Sequence, residues 1–254
     1  MSKKPFVLLS NDDGIQADGL QHLCDGVREF AEVMVVAPVH ERSGASHSIS
    51  LKAEMALQEW GEARFAFDGS PVDCVQFAMR NLVPKKPDLM ISGINHGANL
   101  ANDTLYSGTV GAAMVACSSG VPALAVSLVD YHPRRENYFS TAVAQVQRLL
   151  KRGLWFDDFQ GRVLNLNVPN IPSEECRGLK VAQLGERIYS QEFRPGDIPN
   201  TYRYHHEEPI NFGGTDMDVT EIQNGYATLT VLRPSLYDHV GTETLKSMLN
   251  HQQD

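Results

Sequence analysis

Two acids, Asp12 and Asp13, stand next to each other in LLSNDDG (residues 8–14), directly behind an apolar run. Adjacent carboxylates repel, and each resists ionisation unless a positive charge lies between them. A helix-entry turn would use only their polarity, since Asp and Gly are common there. An aspartyl-phosphate phosphatase would need Asp-x-Asp, but the residue two before Asp13 is Asn11, which cannot act as that nucleophile. A bound divalent cation removes the repulsion, and it is the reading that best explains two like charges at one point.

Three further clusters carry matching chemistry. ERSGAS (41–46) offers the Ser43 hydroxyl as a neutral oxygen ligand, and Gly44 lets backbone N–H groups approach an anion. On its own a plain surface loop is the favoured reading. SGINHGAN (92–99) holds Asn95 and Asn99, whose amides can give oxygen to a metal or N–H to a phosphate; an ordinary Asn-Gly turn is the plain alternative, and His96 inside it is weak evidence for catalysis. YSGTVGAAM (106–114) sets Ser107, Gly108 and Thr109 ahead of a small-residue helix, where free N–H groups and hydroxyls make an anion site or simply a cap. Neither GxxxxGK nor GxGxxG occurs. Together the clusters supply two carboxylates, a hydroxyl and an amide for a hard cation, with hydroxyls and N–H groups for a phosphate. An all-oxygen set favours Mg²⁺ or Mn²⁺ over Zn²⁺.

The elements that must position these groups follow from the hydrophobic pattern. FVLL, VMVVAP, DLMIS, PALAVSL and RVLNLNVPN read as buried parallel-type strands, apolar throughout rather than alternating. Leu20, Leu23, Val27 and Phe30 define an amphipathic helix. Ser70, Pro71 and Asp73 start another, with Val72, Val75, Met79 and Leu82 on its buried face. TVGAAMVACSSG and residues 139–150 give two more. ALQEW and ARFAFDG read as a pair of shorter strands, and GINHGANLANDTLYSG as a long polar loop. Alternating strand and helix imply an α/β fold with a mostly parallel sheet and right-handed crossovers. Ligands gather beyond the carboxyl ends of such strands, where the clusters after FVLL, VMVVAP and DLMIS all fall. From about residue 174 the pattern shifts to extended or hairpin segments, with a helix over 242–250. Isolated hairpins are marginal in water, so this part is expected to pack on the core or on another subunit.

The 254 residues, 42% hydrophobic, can bury a substantial core. A net charge of −9 argues against a nucleic acid polymer as partner. No stretch has the apolar length of a membrane span, and the N-terminal apolar run is too brief for a signal-peptide core. Cys24, Cys74, Cys117 and Cys176 lack metal-ligand or redox spacing, as expected of reduced thiols in a cytoplasmic protein.

Taken in order, LLSNDDG, VVAP…RSGAS, SGIN.G.N…YSGTV.AA, PALAVS and GTD…GY…T closely resemble the SurE family over nearly the whole chain. These are bacterial and archaeal metal-dependent phosphatases of nucleoside monophosphates, linked to stationary-phase survival. The resemblance implies a Rossmann-like three-layer catalytic core over 1–173 and a hairpin-rich C-terminal extension over 174–254 that serves homodimer or homotetramer formation. It puts one divalent metal per subunit, Mg²⁺ or Mn²⁺, on Asp12, Asp13, Ser43 and Asn95, and the phosphate on Asn99, Ser107, Gly108 and Thr109 with Gly44 nearby. It also implies 5′- and 3′-nucleotides as substrates, and for some members short polyphosphate. Ala101 stands where the family usually has Gly, Val115-Ala116 where Glu-Gly is common, and Asp18 where Pro is usual. The expected reaction is hydrolysis of a phosphomonoester by a metal-activated water oriented by Asp12 or Asp13. The competing expectation is a regulatory protein that binds a nucleotide without turning it over.

Overall fold

Phe6 to Ser10 (β1) is buried on both faces, which is why its sequence does not alternate. Phe6 and Leu8 point to one side of the sheet and Val7 and Leu9 to the other, and each pair joins a separate core. The computed structural model describes residues 4–130, 136–153, 159–206 and 208–250. Residues 1–3, part of the N-terminal run read above, and residue 207 within the extended tail lie outside them.

The elements follow in order: α1 (Asp18–Arg28), β2 (Glu32–Pro38), β3 (Leu57–Gly61), β4 (Arg64–Phe67), α2 (Pro71–Phe77), β5 (Leu89–His96), α3 (Gly108–Ser118), β6 (Ala123–Val129), α4 (Phe139–Lys151) and β7 (Val163–Pro169). The tail adds β8 (Leu179–Val181), β9 (Glu186–Ile188), β10 (Gln191–Pro195), β11 (Tyr202–His206), β12 (Ile210–Phe212), α5 (Asp218–Gln223), β13 (Ala227–Leu232) and α6 (His239–Asn250). The main sheet has nine strands in the order β3-β4-β2-β1-β5-β6-β7-β13-β8. Its pairings are parallel except β3 with β4 and β7 with β13.

α1 and α4 cover one face, through Leu20, Leu23, Val27, Phe139 and Val146. α2 and α3 cover the other, through Val75, Val110, Ala113 and Ala116. Each such aliphatic side chain contributes roughly 1.5–3 kcal/mol by leaving water. Phe30 falls beyond the end of α1 yet still packs on its core. Ser70 caps α2 in a reciprocal capping box with Asp73, as the sequence implies, and a π-helical turn over Ala78–Leu82 continues it.

Two features differ from the sequence expectation, and a third, the packing of the tail on the core, agrees with it. β5 runs on through Asn95 to His96, so the polar stretch begins as strand. The remainder contains a 3₁₀ turn, Ala101–Leu105, rather than loop throughout. β13 and β8, from the tail, extend the main sheet, while β10–β11 and β9–β12 form two separate hairpin-like pairs. β13 lies antiparallel to β7, with Thr228 opposite Asn167 and Leu232 opposite Val163, so this strand is held by a full ladder and needs no partner subunit. By contrast α6 buries none of its residues, and Val240, Leu245, Met248 and Leu249 are exposed.

Candidate active site

The chain leaves β1 for β2 on one side and reaches β5 on the other, so a crevice opens at the carboxyl ends of these strands. Asp12 and Asp13 follow β1, the 41–46 loop follows β2, Asn95 ends β5 and Ser107 caps α3. A cavity of about 560 Å³ lies there, lined by Asp12, Ser43, Gly44, Asn95, His96, Asn99 and Ser107 among others.

The turn that presents the acids is shaped locally. Asn11 accepts from Gly14 N–H at 3.2 Å and donates to Gly14 O at 3.0 Å, closing a loop that Gly14 completes at φ +102°. Asp12 is buried and faces α3. Its Oδ1 accepts from the Thr109 hydroxyl at 2.5 Å and its Oδ2 from the Thr109 N–H at 3.1 Å. Asp13 is half-buried, and its Oδ2 accepts from the His96 N–H at 3.3 Å. Ser43 donates to Glu41 Oε1 at 2.7 Å, and Asn95 Nδ2 donates to Gly97 O at 2.9 Å. The 41–46 loop is pinned to the α3 side by Ser46, whose N–H and hydroxyl donate to the carbonyls of Tyr106 and Leu105 at 3.1 and 2.7 Å.

Burial pushes the Asp12 carboxyl above its ordinary value, with the Thr109 hydrogen bonds opposing. Burial first, and the Asp12 charge second, push Asp13 up from 3.8 to about 6, with His96 opposing; Glu41 adds repulsion to both. Both acids are therefore costly to ionise in this crevice without a positive partner. That cost, with carboxylate, hydroxyl and amide oxygens converging on one crevice, fits a hard divalent cation. Among the described residues no group of three His, Cys, Asp or Glu side chains has metal-binding geometry, so a cation here would draw on Ser43 and Asn95 as well as the two acids.

The phosphate-side residues divide in two. Asn99 and Ser107 line the cavity; Gly108 and Thr109 do not, and both lie against Asp12 instead. Gly44 lines it at φ +72° with nothing within 4 Å of a Cβ position. Ser107 accepts from Val110 N–H at 3.0 Å as the helix cap, leaving its own hydroxyl proton to donate. Asn99 is fixed from behind by residues the sequence reading did not single out. Its N–H donates to Asn167 Oδ1 at 2.9 Å and its Nδ2 to Ser127 Oγ at 2.8 Å. Its carbonyl accepts from Asn165 at 2.8 Å and Asn167 at 3.0 Å. The signal was available: two asparagines at alternate positions in the otherwise apolar VLNLNV of a central strand.

Gly108 offers a direct test of the packing. A Cβ there would meet Asp12 Oδ2 at 2.9 Å and Asp12 Cβ at 3.0 Å, both buried atoms with no room to retreat. Gly108→Ala is expected to turn the carboxylate and weaken cation binding about 10- to 100-fold, the range for disturbing a ligand's supporting contacts. Titration calorimetry with Mn²⁺ reads this directly, and unchanged affinity would mean Asp12 does not hold the cation.

The family model described as Survival protein SurE matches residues 7–191. The chain is 38% identical to "5'/3'-nucleotidase SurE" of Erwinia tasmaniensis over 247 residues, 96% of each chain. It is 37% identical to "5'-nucleotidase SurE" of Vibrio campbellii, covering 98% of this chain and 96% of that one. The crystal structure of the SurE protein from Aquifex aeolicus superposes with a TM-score of 0.84 at 31% identity, covering 96% of this chain and 99% of the other.

Proposed function

Because this chain belongs to the survival protein SurE family, we propose that it is a divalent-metal-dependent phosphomonoesterase that hydrolyses nucleoside 5′- and 3′-monophosphates to nucleoside and phosphate. The observation that carries the reading is the convergence of Asp12, Ser43, Asn95, Asn99 and Ser107 on one crevice beside a second acid, Asp13. A simple anion-binding site gains nothing from two neighbouring carboxylates.

Asp12, Asp13, Ser43 and Asn95 would hold the cation, Mg²⁺ or Mn²⁺. When bound, it supplies Lewis acidity at a phosphoryl oxygen and a water of lowered pKa. Thr109, with both of its donors on Asp12, fixes that carboxylate in one orientation. Asp13, held by the His96 N–H, would orient the attacking water. The Asn99 amide and the Ser107 hydroxyl donate to the equatorial phosphoryl oxygens, where charge develops. Water oxygen bonds to phosphorus as the ester P–O bond breaks; the water gives up one proton and the nucleoside oxygen takes one, so the nucleoside leaves as an alcohol beside inorganic phosphate.

Proton competition gives a signed prediction. A carboxylate whose folded-state pKa is raised binds its proton more tightly in the folded, metal-free protein, so between about 4 and 6 its contribution to stability falls as pH rises. A cation must displace that proton, so Mn²⁺ affinity is expected to be flat above pH 6.5 and to fall up to about tenfold per unit below pH 6. Asp13→Asn should remove that component of the slope. A pH-independent affinity between 5 and 7.5 would contradict the placement of Asp13.

The wider reading takes residues 1–173 as the catalytic core and 174–254 as an extension serving a homodimer or homotetramer. The apolar side chains left exposed on α6 and on the β10–β11 pair support it; a monomer by light scattering at working concentration would count against it. Among the described residues no helix is long and apolar enough to cross a membrane. We take the protein as cytoplasmic, with a small nucleotide as its substrate, no nucleic acid polymer and no membrane partner. The function is tested by incubating the protein with 5′- and 3′-nucleoside monophosphates and quantifying nucleoside and phosphate. Equal release of both supports the nucleotidase; tight binding with no release supports a nucleotide-binding regulator instead.

A further inference from the structure

The cavity is longer than a phosphate and a cation require. At 560 Å³ it has the size of a small-molecule site, and its far wall is built from a different set of residues. Tyr106 comes from the core, one residue before the Ser107 cap; Arg187, Tyr189 and Tyr204 come from the extension. The Tyr106 backbone is held between the 3₁₀ turn and the 41–46 loop, its N–H donating to Asp103 O at 3.0 Å and its carbonyl accepting from Ser46 N–H at 3.1 Å. The Tyr204 ring meets Phe193 of the paired strand edge-on, with ring centroids 5.6 Å apart. Tyr106 and Tyr204 line the cavity and are 66% and 51% exposed, so two aromatic side chains are accessible at this end of the crevice.

The polar groups beside them are already committed to one another. Both amide atoms of Asn102 bond the Arg187 backbone, at 3.0 and 2.8 Å. Asp103 accepts from the Tyr189 hydroxyl at 2.9 and 2.8 Å and pairs with Arg187 Nη1, while Arg187 Nε donates to Asn211 at 3.1 Å. A ligand group arriving here meets aromatic side chains beside polar groups that already bond one another. We propose that this end of the cavity is a nucleobase subsite in which the base stacks on the Tyr106 and Tyr204 rings and is not read along its hydrogen-bonding edge. Stacking on an aromatic ring accepts any base, because every base has a π face, and is worth about tenfold or more in binding. Edge readout, by contrast, separates bases by several orders of magnitude, because a mismatched ligand leaves buried polar groups unpaired.

The inference rests on the nucleotidase reading, and its test keeps the two apart. The probe pair is a nucleoside 5′-monophosphate and ribose 5-phosphate, the same phosphomonoester without the base. The wild-type protein should prefer the nucleotide in kcat/KM by about tenfold or more. Purine and pyrimidine nucleotides should fall within about tenfold of each other. In the Tyr106→Ala/Tyr204→Ala double variant the preference over ribose 5-phosphate should collapse toward one, while Tyr106→Phe/Tyr204→Phe, which keeps the rings and loses the hydroxyls, should retain it. Equal wild-type rates on nucleotide and ribose 5-phosphate, or a preference that survives removal of both rings, would overturn the subsite and leave the phosphatase standing. Discrimination of one base over the others by more than a hundredfold would overturn stacking as the mode of recognition. Release of phosphate from neither substrate would overturn the functional reading and the subsite with it.

Discussion

Asp12→Asn is expected to lower turnover on a nucleoside monophosphate by about 10²- to 10³-fold or more, the scale set by removing one charge-stabilising group from a reaction centre, while the fold stays intact. The substitution conserves shape but takes away one of the two charges that attract the cation. It also places an amide where Thr109 presents two donors, so one Thr109 bond must weaken or the amide must turn. Stability should move the other way. Burial holds the Asp12 carboxyl above its ordinary value, so the charged form is a cost in the metal-free protein. A neutral amide relieves that cost, and metal-free Asp12→Asn should melt no lower than the wild type. Thermal melting with and without Mn²⁺, alongside kcat/KM, separates the two effects. Wild-type activity in this variant would remove Asp12 from the site.

Asp218→Asn is the second large effect, and it acts on stability. The Asp218 side chain is buried and accepts three backbone N–H groups at 2.8 Å: Ala101 on Oδ2, and Gly185 and Val219 on Oδ1. It thereby joins the extension to the 3₁₀ turn that leads into Ser107. An amide can accept at one atom only, so at least one of these N–H groups faces a donor in a site closed to water. The expected cost is about 3 kcal/mol, or on the order of 6–12 °C in melting temperature for a chain of this size. Ala101 sharpens the dependence, because it sits at φ +50°, a conformation that costs a residue with a Cβ roughly 1–2 kcal/mol. The bond to Asp218 helps hold this strained residue. Catalytic efficiency should fall together with stability, since Ser107 lies at the end of the same turn. A melting temperature within 2 °C of wild type would show that the extension does not anchor this turn.

The parallel sheet was legible because burial on both faces leaves β1, β2, β5, β6 and β7 with uninterrupted apolar runs. The acid pair was legible for the opposite reason, since two like charges behind such a run repel unless a positive charge joins them. The supporting contacts were harder to read, because they depend on approach rather than on pattern. Gly111 looks like one more small residue in a small-residue helix. Yet a Cβ there would meet Ser46 O at 2.4 Å, so its absence lets α3 touch the 41–46 loop. Arg187 and Tyr189 meet Asp103 across more than 80 residues of sequence, from a three-strand-long stretch with no local motif. β13, ATLTVL, reads in the sequence as one more extended segment of the tail, with nothing local to say which strand it joins. Only its ladder with β7 distinguishes it, and that ladder is a tertiary fact. The end of β5 was misread as loop because its last polar residues face a ligand site rather than a core.

The most direct measurement is the metal dependence of phosphate release. Chelator-stripped protein, checked for an intact fold, would be given a nucleoside monophosphate before and after Mn²⁺ or Mg²⁺ is added back. The account predicts no release above background in the stripped protein and restoration as the cation approaches one equivalent per chain, with Asp12→Asn failing to recover under the same conditions. Undiminished release from the stripped protein would contradict it, because the two aspartates would then have no cation to hold.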